Sequence, residues 1–150
     1  MKNLKIGDSA PEINSIDQNG DAITLKQFKG KKVVLYFYPK DMTPGCTVQS
    51  CNLRDNYKLL LERGYVVLGC SADSIDKHVK FIEKYDLPFP LISDESKQVL
   101  NAYGVWGSKK FMGKEYDGIS RTTFVIDEKG IIEDIIEKVK TKEHTSQILN

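Results

Sequence analysis

The chain has 150 residues, 40% of them hydrophobic and 29% charged, with a formal net charge of +1. That length and balance predict a single globular domain over residues 1–150, able to bury a core without disulfide staples or structural metal. The interleaved charges leave no footprint for nucleic acid or an anionic membrane, and no apolar run is long enough to span one.

In chain order, Leu4 to Pro11 is a polar, turn-rich entry. Ile13 to Ile16 and Ala22 to Leu25 flank Gln18-Asn19-Gly20-Asp21, where Asn-Gly predicts a tight hairpin with positive φ. Leu25 to Phe28 has room for one helical turn, and the basic stretch Lys26 to Lys32 reads as a solvated turn. Lys32 to Tyr38 is continuous, β-branched and aromatic, the pattern of a strand covered on both faces. Pro44 suits a first helical position with Thr43 as its cap, and the helix is expected to run through Leu53 and Leu61 to a stop near Gly64. Tyr65 to Ala72 reads as a second buried strand, followed by a helix capped at Asp73 or Ser74 and carrying Val79, Phe81, Ile82 and Tyr85.

Leu91 to Ser93 is a short strand, and Ser96 to Tyr103 a short helix closed by Gly104. Thr122 to Ile126 and Ile131 to Ile136 form two strands joined by the turn Asp127-Glu128-Lys129-Gly130, with a last helix after Thr141. This order predicts an α/β sandwich, a central mixed sheet with helices on both faces and antiparallel strands at an edge, compatible with a thioredoxin-like core.

The chemistry concentrates in Tyr38-Pro39-Lys40-Asp41-Met42-Thr43-Pro44-Gly45-Cys46-Thr47, where a strand hands over to a helix. Unpaired backbone N–H groups and the positive end of the helix dipole favour thiolate at Cys46, the reactive form of a cysteine. A thiolate that attacks an O–O bond needs donors for both oxygens and restricted access for water. Thr43 has a hydroxyl that can donate to or accept from a peroxide oxygen, and the N–H groups of Gly45 and Cys46 can face the same point. Pro39 ends the strand and can shield the sulfur, while Arg121 brings a fixed charge and a fork of donors.

Pro39, Thr43 and Cys46 stand in the Pro-x3-Thr-x2-Cys pattern of the peroxiredoxins. The run from Phe37 through Asp55, then Tyr103-Gly104-Val105-Trp106-Gly107 and Arg121-Thr122-Thr123-Phe124, resembles the bacterioferritin comigratory protein, or Q-type, subfamily over nearly the whole chain. The resemblance implies reduction of hydrogen peroxide and organic hydroperoxides. Cys46 would be the peroxidatic cysteine, with Pro39, Thr43 and Arg121 completing its site. It further implies Cys51 as resolving cysteine and a thioredoxin- or glutaredoxin-type reductant. Many relatives carry Glu where this chain has Gln49, to which no role is assigned.

If Cys46 and Cys51 share one helix, five residues give ~7.5 Å of rise and ~140° of rotation, so their Cα atoms lie ~8.6 Å apart. A disulfide needs about 7 Å or less, so the first helical turns would have to melt before the two could bond. Cys70 reads as strand packing, with a minor reading as an alternative resolver, and Trp106 as a packing or loop-anchoring residue. His78 and His144 are far in sequence from Cys46 and Cys51, and no Cys-x2-Cys pair, phosphate loop or dinucleotide fingerprint occurs, so neither metal nor cofactor is expected.

Three cysteines without the spacing of a secreted framework, and an N-terminus Met1 to Lys5 without an apolar core, point to the cytoplasm. A monomer or weak dimer is expected. The alternatives are a thiol–disulfide oxidoreductase, disfavoured by the Cys-x4-Cys spacing, and a non-catalytic thioredoxin-like redox sensor.

Overall fold

The computed structural model describes residues 4–149, so part of the N-terminal stretch read for a leader lies outside the described residues. Two short antiparallel strands open the chain, β1 (Asn14–Ile16) and β2 (Ala22–Thr24). They are followed by a single 3-10 turn, Leu25–Phe28. The hairpin expected around Asn-Gly is present, closed by the loop of residues 17–21. The Asp17 carboxylate accepts from the backbone N–H of Asn19 and Asp21, and only Gly20 takes a positive φ, of 77°.

The central sheet contains β3 (Lys32–Phe37), β4 (Tyr65–Ser71), β5 (Leu91–Ser93), β8 (Thr122–Ile126) and β9 (Ile132–Ile136), in the order β5-β4-β3-β8-β9. β3, β4 and β5 are parallel, whereas β8 runs antiparallel to β3 and β9 antiparallel to β8. The mixed sheet anticipated from the sequence is therefore present.

Side chains alternate along β3, which is why its sequence is apolar without interruption. Val33, Leu35 and Phe37 pack with Leu68, Cys70, Phe124 and Ile126 on one face. Val34, Tyr36 and Tyr38 pack with Val67, Val125, Cys46 and Leu53 on the other. A Cβ at Gly69 would come within 2.6 Å of Leu91 and 2.9 Å of Tyr36, so the bare backbone there is what admits the Tyr36 ring.

α1 (Pro44–Asp55), α2 (Tyr57–Glu62), α3 (Ile75–Tyr85) and α5 (His144–Leu149) contribute Leu53, Leu60, Phe81 and Ile148 to the second face. α4 (Gln98–Ala102) contributes Val99 and Leu100 to the first. Ser74 caps α3, its side chain accepting from Lys77 N–H at 3.3 Å. The one long helix expected after Pro44 is instead two. Asn56 leaves the helical conformation (φ −111°, ψ 11°) and donates its side-chain amide to Asn52 C=O, which separates α1 from α2.

An antiparallel pair absent from the sequence reading, β6 (Trp106–Phe111) and β7 (Lys114–Ile119), stands outside the central sheet. Its turn is Met112-Gly113, with φ of 52° and 80°. Trp106 therefore starts a strand, and Lys97 Nζ lies 5.2 Å from its ring centroid. No helix among the described residues is long and apolar enough to cross a membrane.

Candidate active site

Because β8 runs antiparallel to β3, its first residue Thr122 pairs with Phe37, the last of β3. This register carries Arg121, the residue before β8, to the end of the sheet where β3 gives way to the loop 38–43 and α1. Arg121 and Cys46, 75 residues apart in sequence, meet there: Arg121 Nη2 donates to Cys46 Sγ at 3.2 Å. Cys46 is fully buried, and Arg121 and Pro39 are half-buried.

Cys46 is the third residue of α1. The first helical bond runs from Thr47 N–H to Thr43 C=O at 2.9 Å, so the N–H groups of Gly45 and Cys46 lie ahead of the ladder, at the positive end of the helix. A Cβ at Gly45 would come 3.3 Å from Arg121 Nη2, so glycine keeps room for the guanidinium beside the helix start. The Arg121 charge and its N–H donor thus meet the sulfur at the start of the helix, ahead of the first helical hydrogen bond.

Thr43 occupies the cap position but makes no capping bond. Its hydroxyl donates to Lys40 C=O at 2.8 Å, which leaves the Oγ1 lone pairs to accept a hydrogen bond from an incoming O–H. The structure therefore narrows Thr43 from donor-or-acceptor to acceptor.

Gln49, to which the sequence reading gave no role, is in contact with the site. Its Oε1 accepts from Arg121 Nη1 at 2.6 Å, fixing the fork whose other arm meets Cys46. Its position three residues after Cys46, on the same helical face, was the available signal. Its Nε2 and the hydroxyl of Thr47 are buried without hydrogen-bond partners among the described residues.

Cys51 is half-buried on the same intact α1, and all three cysteines are free. Burial pushes its thiol above the ordinary value, with Arg54 opposing and Asp55 adding to the rise. Cys70 belongs to the core on the other face of the sheet from Cys46, and burial, assisted by Asp94, pushes its thiol well up. Its minor reading as an alternative resolver therefore finds no support in the structure.

A buried network missed by the sequence reading anchors the loop that leads to Thr43. Asp41 accepts from Tyr38 OH through Oδ1 at 2.6 Å and faces His78 Nδ1 through Oδ2 at 2.7 Å. Asp41 N–H donates to Asp73 Oδ2 at 2.8 Å, which also accepts from Ser71 OH at 2.7 Å. His78 Nε2 donates to Ile92 C=O at 3.0 Å, because a carbonyl can only accept. The donor atoms of Asp41, Asp73 and His78 lie within 4.8 Å of one another, the spacing of a metal cluster, but hydrogen bonds within the network engage them. His144 faces Thr123 Oγ1 at 2.7 Å and Gln147 Oε1 at 2.9 Å, and burial holds its imidazole below the ordinary range.

Residues 6–135 match the model of the AhpC/TSA family. Over 150 residues the chain is 51% identical to peroxiredoxin Bcp of Escherichia coli (strain K12), covering 100% of this chain and 96% of that one. The crystal structure of a cysteine-to-serine mutant of Xylella fastidiosa PrxQ superposes with a TM-score of 0.92 at 29% identity, over 100% of this chain and 96% of that one. The Xanthomonas campestris bacterioferritin comigratory protein, solved in trapped intermediate and ligand complexes bearing on its alkyl peroxide reduction activity, matches with a TM-score of 0.85 at 33% identity, over 91% of this chain and 87% of that one.

Proposed function

The chain belongs to the AhpC/TSA family as a thioredoxin-fold peroxiredoxin of the Q-type, and we propose that its thiol peroxidase chemistry is carried by Cys46. The observation that supports this assignment is the 3.2 Å contact from Arg121 to a fully buried sulfur at a helix N-terminus. Cys46 thiolate attacks one oxygen of a hydroperoxide, hydrogen peroxide or an organic one. The O–O bond breaks, that oxygen stays on sulfur as the sulfenic acid, and the leaving oxygen departs as water or an alcohol after taking a proton. Arg121 and the N–H groups of Gly45 and Cys46 stabilise negative charge as it passes between sulfur and oxygens. Thr43 accepts the substrate's O–H and orients it, and Pro39 keeps bulk water from the sulfur.

Cys51 resolves the sulfenic acid. On the intact α1 the two Cα atoms are ~8.6 Å apart, so the first turns unwind before the disulfide closes. A thioredoxin- or glutaredoxin-type protein then reduces it. Residues 1–150 act as one domain, as a monomer or weak dimer. A reducing compartment such as the cytoplasm suits three free thiols.

The test is steady-state peroxide consumption by the reduced protein with thioredoxin, its reductase and NADPH, comparing wild type with Cys46→Ser. Multiple turnovers abolished in the variant are the expected result. Insulin-disulfide reduction without peroxide consumption would favour a thiol–disulfide oxidoreductase instead.

A further inference from the structure

Immediately after Cys51, the side chain of Asn52 hydrogen-bonds α1 to the C-terminal segment of the chain. Asn52 Nδ2 donates to Lys142 C=O at 2.9 Å, and its Oδ1 accepts from both Thr145 N–H and Thr145 Oγ1, each at 2.8 Å. Asn56 Nδ2 holds Asn52 C=O at 2.8 Å, and Leu53 is fully buried. Cys51 is therefore followed directly by a residue held through three side-chain hydrogen bonds.

Cys46 and Cys51 point about 140° apart around the axis of α1. Closing that angle turns Cys46, Cys51 or both about the axis as the first turns unwind, and any turn of Cys51 pulls Asn52 away from Thr145 and Lys142. We propose that Asn52 is a positioning residue that holds Cys51 turned away from Cys46 and so slows the second chemical step of the cycle. The inference rests on Cys51 being the resolving thiol.

In that step Cys51 thiolate attacks the sulfur of Cys46 sulfenic acid. The S–S bond forms, the S–O bond breaks, and the departing hydroxide leaves as water with the proton that Cys51 released. The Asn52 contacts are broken only when Cys51 turns, so they oppose this condensation and leave the first step alone. A longer-lived sulfenic acid is exposed to a second peroxide, which carries it to the sulfinic acid.

Reduced wild type, Asn52→Ala, Asn52→Asp and Thr145→Val are each mixed with one equivalent of hydrogen peroxide and quenched with N-ethylmaleimide at intervals. Peptide mass spectrometry then counts the Cys46–Cys51 disulfide. Peroxide should disappear at the wild-type rate in all four. The disulfide should form about tenfold faster or more in Asn52→Ala, which loses three side-chain hydrogen bonds. Thr145→Val, which keeps its backbone N–H on Asn52, should be accelerated less. Asn52→Asp, which keeps the acceptor for Thr145, should fall nearest wild type.

Excess peroxide should give less sulfinic acid in Asn52→Ala than in wild type. A disulfide that forms at the same or a lower rate in both Asn52→Ala and Thr145→Val, while wild type forms it normally, would overturn the role of Asn52 alone. If wild type forms no Cys46–Cys51 bond, the assignment of Cys51 falls and the brake with it.

Discussion

Arg121 Nη2 donates to Cys46 Sγ at 3.2 Å while Nη1 of the same guanidinium donates to Gln49 Oε1 at 2.6 Å. One planar fork therefore spans two residues of a single helix face and brings fixed charge to the buried sulfur. Replacing Arg121 with alanine removes both arms. The peroxide step of Arg121→Ala should slow by roughly tenfold or more, as for loss of one charged contact to the transition state. Stopped-flow mixing with hydrogen peroxide measures it, and a wild-type rate would take Arg121 out of the site.

Gln49 meets the site through Arg121, from whose Nη1 it accepts at 2.6 Å. Gln49→Ala should slow the peroxide step several-fold in the wild-type background, because the guanidinium loses its second anchor. In the Arg121→Ala background the same change should do nothing further. A double-mutant cycle on the first-step rate reads this directly, and additive effects would show that Gln49 serves some other purpose.

Cys51→Ser should consume one equivalent of peroxide and then stall, with Cys46 held as sulfenic acid. Cys70→Ser should turn over normally, because Cys70 packs on the opposite face of the sheet. Intramolecular disulfide in Cys51→Ser would bring Cys70 back as resolver.

The Asp41–His78 pair is buried, with side-chain exposures of 2% and 0%. His78→Leu leaves the Asp41 carboxylate without its partner in a dry interior and should lower stability by about 3–5 kcal/mol. The double variant Asp41→Ala with His78→Leu should recover only part of that loss, because Tyr38 OH is then left without its acceptor. Urea unfolding of the three proteins checks both statements.

Acid should also weaken the fold through His144, whose imidazole burial holds below its ordinary value of 6.5. Between that lowered value and 6.5 the unfolded chain binds a proton that the folded chain does not, so stability falls as pH drops through this window. His144→Gln should flatten the part of the acid limb of a thermal-unfolding profile that begins as pH falls through 6.5.

The strands β3, β4, β5 and β8 of the central sheet were legible because both their faces are covered, and a doubly buried strand such as Lys32–Phe37 announces itself as an unbroken apolar run. The hairpin Trp106–Ile119 was not. Its second strand is largely exposed and lies outside the central sheet, so neither burial nor alternation marks it. The break at Asn56 escaped notice because apolar spacing continues through it, while the cause is one side-chain bond to Asn52 C=O.

Within the site, Cys46 and Thr43 were readable from their loop. Arg121 could be offered from the sequence as a charged donor, but its place beside Cys46 rested on the resemblance, since it arrives through the antiparallel pairing of β8 with β3. The Asp41–His78 contact joins residues 37 apart on separate elements, and no local pattern encodes it.

The most direct test of Cys46 as the peroxidatic thiol is chemical trapping. Reduced Cys51→Ser is treated with one equivalent of hydrogen peroxide in the presence of dimedone, and the labelled peptide is located by mass spectrometry. Label on Cys46, lost when Arg121 is also replaced by alanine and the reaction is sampled at the same short time, is the expected result. Label on Cys70, or none on Cys46 while peroxide is consumed, would contradict it.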